Sequence, residues 1–148
     1  MYIKHWAQKL DLHDASRGRL STYTLILMII QYLQAGCQPP VLPSLQAKFP
    51  KHFTYDRQVK EVDMRLELPW DELRSTNTIR LSDLLFGFFE YYVEKFDFSR
   101  MAISVRTGKP IPIEMAIKQL PPHEQLHNVK SFKMFVEGCN FGFIIIIN

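Results

Sequence analysis

Ile3, Trp6, Ala7 and Leu10 recur at i, i+3, i+4 and i+7, the spacing that lays one apolar stripe along an α-helix and leaves Lys4 and Gln8 together on its polar side. The polar residues 11–19, punctuated by Gly18, then predict a loop that returns the chain to a second helix. Ser21 and Thr22 suit the start of that helix, because short hydroxyl side chains accept the amides that a first turn leaves over. From 23 to 34 nearly every position is apolar, which predicts a helix buried on most faces, and Gly36 ends it. Pro39, Pro40, Pro43 and Pro50 make the next stretch a rigid connection with one helical turn around 44–48. Residues 55–77 mix charged and apolar side chains without a period and predict an irregular segment. The strongest pattern follows: Leu81, Leu84, Leu85, Phe88, Tyr92 and Phe96 keep helical spacing, with Glu90, Glu94 and Lys95 elsewhere on the wheel. Residues 102–106 alternate Ile103 and Val105 against Ser104 and Arg106, and Thr107-Gly108-Lys109-Pro110 reads as a turn, so a short strand is expected there with residues 132–136 as its partner. The pattern as a whole predicts a mainly α fold, a helical domain with a small β-strand pair.

Composition narrows this in three ways. With 148 residues the chain has the length to bury roughly 70% of its unfolded surface in one core, and 11 Phe make that core bulky. A formal charge of +3 is mildly basic; it suits a polyanionic partner without the excess of a histone-like protein. Cys37 and Cys139 stand far apart in no metal-ligand spacing, so a reducing intracellular compartment is the simpler reading and one disulfide the alternative. The apolar run 25–30 is far shorter than the roughly 20 residues of a membrane span, and no membrane partner is expected. Residues 138–148, ending Phe141-Gly142-Phe143-Ile144-Ile145-Ile146-Ile147-Asn148, form a charge-poor apolar tail unlike the rest.

Candidate chemistry is sparse. His123-Glu124-Gln125-Leu126-His127 fits H-E-x-x-H, which on a helix puts two imidazoles beside a glutamate base and defines a zinc metallohydrolase alternative. Pro121 and Pro122 directly before it put His123 at the very start of any such helix, and the residues that follow supply no further His as third ligand. No G-x-S-x-G occurs, neither Cys has a His in a recognisable frame, and the six glycines form no phosphate-binding loop. Asp83 and Glu90 read as a solvated helix face. What remains is the helix pair at the start. Lys4 projects from the first helix while Ser21, Thr22 and Tyr23 open the second, whose N-terminal amides favour anions. Lysine can neutralise phosphate, the hydroxyls can bind sugar or phosphate oxygens, and the tyrosine ring can stack on a base. By itself the same spacing fits a solvated lysine and a half-buried tyrosine equally well.

The residues around this pair carry a resemblance. Ile3-Lys4-His5-Trp6-Ala7, Asp14-Ala15-Ser16-Arg17-Gly18-Arg19-Leu20-Ser21-Thr22-Tyr23 and Pro40-Val41-Leu42-Pro43-Ser44 resemble the central domain of cytoplasmic poly(A) polymerases and terminal uridylyltransferases, members of the polymerase-beta-like nucleotidyltransferase superfamily. Leu84-Leu85-Phe86-Gly87-Phe88-Phe89-Glu90-Tyr91-Tyr92, Phe96-Asp97-Phe98, Ile103-Ser104-Val105-Arg106 and Phe132-Lys133-Met134-Phe135-Val136-Glu137 are similar to the PAP-associated segment of the same family. The resemblance implies a central plus PAP-associated region over 1–137, the second half of a bilobal enzyme, followed by the divergent tail 138–148. It implies that Lys4 contacts the triphosphate, and that Thr22 and Tyr23 hold the nucleotide with the ring on its base. A second phosphate-binding lysine of some uridylyl-transferring relatives falls on Gln8, and the family's base-selecting segment is not followed from Gly138 onward. The catalytic half, with its Gly-Ser turn and metal-binding aspartates, is expected to precede residue 1. No catalytic residue or metal ligand is therefore assigned to this chain, and Mg or Mn is expected only in that half. ATP or UTP is the implied substrate, the RNA 3′ end the implied acceptor, with Arg106 and Lys109 as candidate RNA-backbone contacts. A regulatory RNA-binding protein is a further partner, and the cytoplasm, with the nucleus as second choice, is the implied compartment. The alternative class is an interaction module without catalysis, in which the aromatic helix 81–96 docks a regulatory protein.

Overall fold

The computed structural model describes residues 2–12, 20–53, 63, 65–118 and 136–137. Its order is α1 (Tyr2–Lys9), α2 (Thr22–Gln31), α3 (Leu45–Lys48), α4 (Trp70–Leu73), α5 (Leu81–Glu90), β1 (Met101–Ser104), β2 (Ile111–Pro112), α6 (Ile113–Lys118) and β3 (Val136–Glu137). The mainly helical class with a small sheet is as the apolar pattern predicts. Two long rods form the frame. α2 runs on into a π-helical turn at Tyr32–Gly36, and α5 into another at Tyr91–Lys95.

The rods meet through aromatic side chains. Phe88, Tyr91, Tyr92 and Phe96 are buried against Leu25, Leu27, Met28 and Tyr32 in one core cluster, and Phe88 meets Tyr92 edge-on at 5.2 Å between ring centres. Tyr32 lies between the rods, 5.8 Å from Phe88 and 5.7 Å from Tyr91. Its ring fits because Gly36 and Gly87 have no side chain: a Cβ on Gly36 would overlap the Tyr32 ring, and one on Gly87 the Tyr32 hydroxyl. A polar bridge crosses the same interface. Gln31, fully buried, donates from Nε2 to Tyr91 Oη at 3.2 Å. The single proton of Tyr92 Oη is shared between Gln31 Oε1 at 2.7 Å and the Met28 carbonyl at 2.8 Å. A buried amide requires partners of this kind, and satisfying them fixes how α2 is rotated against α5.

β1 is the middle strand in the order β2–β1–β3, antiparallel to β2 and parallel to β3. Val136 opposite Ile103 bears out part of the expected partner; residues 132–135 lie outside the described residues. β2, which the alternation did not predict, turns the pair into three strands. Ser104, between Ile103 and Val105, is fully buried as well. Ile103 and Val105 join the main core against α2, while Ala102 packs with Ile111 and Ala116 of the β2–α6 side, so both faces of β1 are covered.

Three further expectations change. Leu81 is 75% exposed, because the first turn of α5 overhangs an apolar cavity of about 480 Å³ that it lines with Tyr2, Ile3, Leu85 and Phe88. Along α1 only Ala7 is buried, while Trp6 is partly exposed and rests on Phe89 at 4.6 Å. On α2, expected to be buried nearly all round, Tyr23 and Ile26 face outward one turn apart.

Candidate functional site

The chain is brought to the start of α2 by backbone bonds that tie it to the end of α1. Leu12 N–H donates to Ala7 O at 2.8 Å, and Leu20 N–H donates to Leu12 O at 3.0 Å. Ser21 therefore stands beside the α1 terminus. Its backbone is extended, its Oγ accepts Thr24 N–H at 3.0 Å, and its carbonyl takes the first helical bond, from Leu25 at 3.1 Å, so it is the N-cap. Ser21 Oγ also lies 2.9 Å from Thr24 Oγ1, and Thr24 is wholly buried, so the capping hydroxyl is held from below.

Thr22 and Tyr23 form the first turn of this helix. Thr22 is half-buried and Tyr23 is 49% exposed, its ring at the surface of a rod whose next residues, Thr24 and Leu25, are buried. Lys4 is exposed on α1, which packs on α2, with Gln8 exposed one turn later. The structure thus brings Ser21, Thr22 and Tyr23 together at one helix end, where the macrodipole carries partial positive charge, and sets Lys4 on the neighbouring helix.

Arg106 and Lys109 do not join them. Their turn follows β1, where Gly108 adopts φ +70° and Ser44 Oγ donates to the Arg106 carbonyl at 2.8 Å. Ser44 follows Pro43, whose carbonyl is 3.4 Å from Nε2 of Gln34 near the far end of the α2 rod. Eleven residues separate Tyr23 from Gln34, roughly 16 Å of helix at about 1.5 Å per residue. The basic turn therefore belongs to the opposite end of the rod.

The zinc alternative rests on His123, Glu124 and His127, which lie outside the described residues. Among the described residues no three His, Cys, Asp or Glu side chains gather in a way that holds a metal ion. Those residues do not fit a divalent metal centre, and no step of transfer chemistry is derived from them. Cys37 is a free, buried thiol; burial pushes it above its ordinary value, and Cys139 lies outside the described residues. Among the described residues no helix is long and apolar enough to cross a membrane.

Pattern reading missed two features. Gln31 looked like one polar residue on an apolar helix, although a lone amide inside such a run signals a buried bridge. Trp70 and Arg74 fell in the segment read as irregular, although Pro69 followed by Asp71 and Glu72 is a helix-start signature.

The chain is thus a mainly helical body with a small sheet, with Ser21, Thr22 and Tyr23 gathered at one helix start. Solved structures share this fold: Cid1 in complex with the UTP analog UMPNPP superposes with TM-score 0.72 at 22% identity, covering 97% of this chain and 42% of that one. The GLD-2/RNP-8 complex matches with TM-score 0.63 at 34% identity, over 75% of this chain and 34% of that one. Residues 80–137 match the PAP-associated segment of the Cid1 family of poly A polymerases. The chain is 37% identical over 132 residues to the Poly(A) RNA polymerase gld-2 homolog B of Drosophila melanogaster, covering 89% of this chain and 10% of that protein. It is 43% identical over 118 residues to Poly(A) RNA polymerase GLD2-A of Xenopus laevis, covering 76% of this chain and 22% of that protein. The chain thus spans less than a quarter of the length of these curated relatives.

Proposed function

We propose that this chain is the nucleotide- and RNA-binding part of a cytoplasmic RNA 3′-terminal nucleotidyltransferase that adds adenylate from ATP. Residues 1–137 correspond to the central plus PAP-associated region, and 138–148 diverge from it in sequence. Lys4 neutralises the triphosphate, Ser21 and Thr22 offer hydroxyls to sugar or phosphate oxygens, and Tyr23 stacks on the base. The carrying observation is the Tyr23 ring, half exposed in the first turn of a helix that is otherwise largely buried, two residues after the capping serine. An aromatic surface beside a helix N-terminus suits a base and its phosphates together. The similarity to relatives named poly(A) RNA polymerases favours ATP over UTP. The RNA 3′ end is the acceptor. A regulatory RNA-binding protein is a further partner, in keeping with the solved complex of GLD-2 with RNP-8. The metal that accompanies the triphosphate is held by groups other than the described residues.

Titration of the chain with ATP and with UTP tests this reading. Base stacking contributes about 1–3 kcal/mol, so Tyr23→Ala should weaken ATP binding roughly 5- to 150-fold. Lys4→Ala should weaken it in a salt-dependent way. An ATP affinity indifferent to both changes refutes the grip.

A further inference from the structure

A groove of two adjoining recesses runs past the far end of the α2 rod, between α3, α4 and the turn that follows β1. Its wider part, about 770 Å³, has an apolar wall with Phe53 and Trp70; its narrower part, about 390 Å³, reaches Ser44, Lys48, Thr107 and Gly108. Leu73 and Arg74 line both parts.

Trp70 is the feature that calls for an explanation. Its indole is 71% exposed on a helix of only four residues. Such a helix cannot hold itself together, since helix nucleation is unfavourable without tertiary support. Here it is fastened on every side. Leu73 is buried, Lys48 Nζ donates to the Glu72 carbonyl at 3.1 Å, and the following segment is sewn down by Ser75 Oγ on Pro40 O at 2.5 Å and Asn77 Nδ2 on Pro39 O at 2.6 Å. The fold thus presents a large, flat, apolar ring to solvent from a rigid mount, which is what a stacking platform requires.

The charges beside it run from apolar to cationic along the groove. Lys48 and Arg74 line it with Glu72 as the opposing carboxylate, and Asp71 shares α4 with Trp70. The bordering turn adds Arg106 and Lys109. A flat ring followed by cations and by the hydroxyls of Ser44 and Thr107 matches the alternation of base, sugar and phosphate in a single strand. A purely apolar peptide would leave the cationic end unmatched.

We propose that this groove binds single-stranded RNA upstream of the 3′ end, with a base on Trp70 and the backbone against Lys48, Arg74 and the 106–109 turn. The inference rests on the RNA nucleotidyltransferase reading above and adds a second contact area, roughly 16 Å or more along the rod from Tyr23. A strand that occupies both must extend several nucleotides back from its end.

The chain has two tryptophans, and replacing the other, Trp6 on α1, by phenylalanine leaves intrinsic fluorescence that reports on Trp70 alone. Titrating the full chain with a fifteen-nucleotide oligo(A), of order ~15 residues so as to overfill the groove, should quench the emission. A three-nucleotide oligo(A), of order ~3 residues, should do so far less. Trp70→Ala should abolish the quenching and weaken binding of the longer RNA roughly 5- to 150-fold with the thermal melt unchanged, since the indole is exposed. Arg74→Ala should lower the salt slope by about 0.7, the signature of one phosphate contact on a single strand. RNA affinity and salt slope unmoved by both substitutions overturn the proposal, as they would if the groove takes a protein segment instead. ATP affinity is read separately: its dependence on Tyr23 and indifference to Trp70 keep failure of the groove distinct from failure of the nucleotide grip.

Discussion

Gly87→Ala tests the way the two rods are fitted together. Exchanging glycine for alanine inside a helix ordinarily stabilises by about 0.8–1.0 kcal/mol. At Gly87 the new Cβ would overlap the hydroxyl of Tyr32, with the ring carbon Cζ next at 3.3 Å and Cε2 at 3.9 Å. Tyr32 cannot swing aside, because Phe88 and Tyr91 pack against its ring and Gly36 leaves it only the room it uses. Overpacking of this kind costs about 1–3 kcal/mol. Set against the helix gain, this clash should leave the variant less stable by up to about 2 kcal/mol in urea denaturation followed by circular dichroism. The decisive comparison is in the Tyr32→Phe background. Without the hydroxyl the nearest atom is Cζ at 3.3 Å, a close contact but a tolerable one, so Gly87→Ala should become neutral or stabilising by up to about 1 kcal/mol. Gly36→Ala is the control: its Cβ would overlap the ring itself, which phenylalanine keeps, so its cost should persist in both backgrounds. Equal destabilisation by Gly87→Ala with tyrosine or phenylalanine at position 32 would refute this account of the interface.

Two further outcomes follow from the same interface. Burial raises the hydroxyls of Tyr32, Tyr91 and Tyr92 above their ordinary value of 10.0, and the Cys37 thiol above 9.0, because each would have to ionise in an apolar surrounding. The folded chain therefore keeps protons that the unfolded chain gives up, so this stability is fully present below about pH 9 and is lost as pH rises beyond it, by at most about 1.4 kcal/mol per pH unit for each group; urea midpoints that stay level or increase from neutral pH to pH 11, about one unit past the ordinary phenol value, contradict it. Gln31→Leu removes the donor to Tyr91 and the principal acceptor of Tyr92 while keeping most of the volume, and should cost about 1–3 kcal/mol, with faster amide exchange through α2. An unchanged exchange pattern would show that the bridge does not hold the rods.

What could be read in the sequence depended on the length over which each pattern persists. α2 and α5 carry apolar residues at helical spacing for ten residues each, long enough for the period to identify them. α3 was legible for another reason, because Ser44 after Pro43 is a strong cap and its Oγ does accept Ala47 N–H. α4, β2 and α6 have four, two and six residues, too few for any period, and are held by tertiary contacts such as the Lys48 bond to Glu72. The π-helical turns, which begin at Tyr32 and Tyr91, were invisible as well. Of the candidate site, the cap at Ser21 was legible in full. The exposure of Tyr23 was not, because a tyrosine in an apolar run fits inside or outside equally well, and only the packing of α2 on α1 and β1 decides it.

The predicted residues divide between the two ends of one rigid element, and that division has a mechanical meaning. A nucleotide grip at Ser21–Tyr23 and a basic turn at the Gln34 end could act on the same RNA only if the distance between them were fixed. The Gln31 bridge and the Tyr32 ring in its two glycine recesses supply that constraint, because both lie between the ends and both lock α2 to α5. A helix free to rotate by one residue, about 100°, would turn Tyr23 from the surface into the core or away from α1, while leaving the Ser44-anchored turn where it is. The buried polar bridge is therefore better understood as setting the orientation of the Tyr23 ring than as adding net stability, for a hydrophobic pair of the same shape would pack as well without specifying the angle.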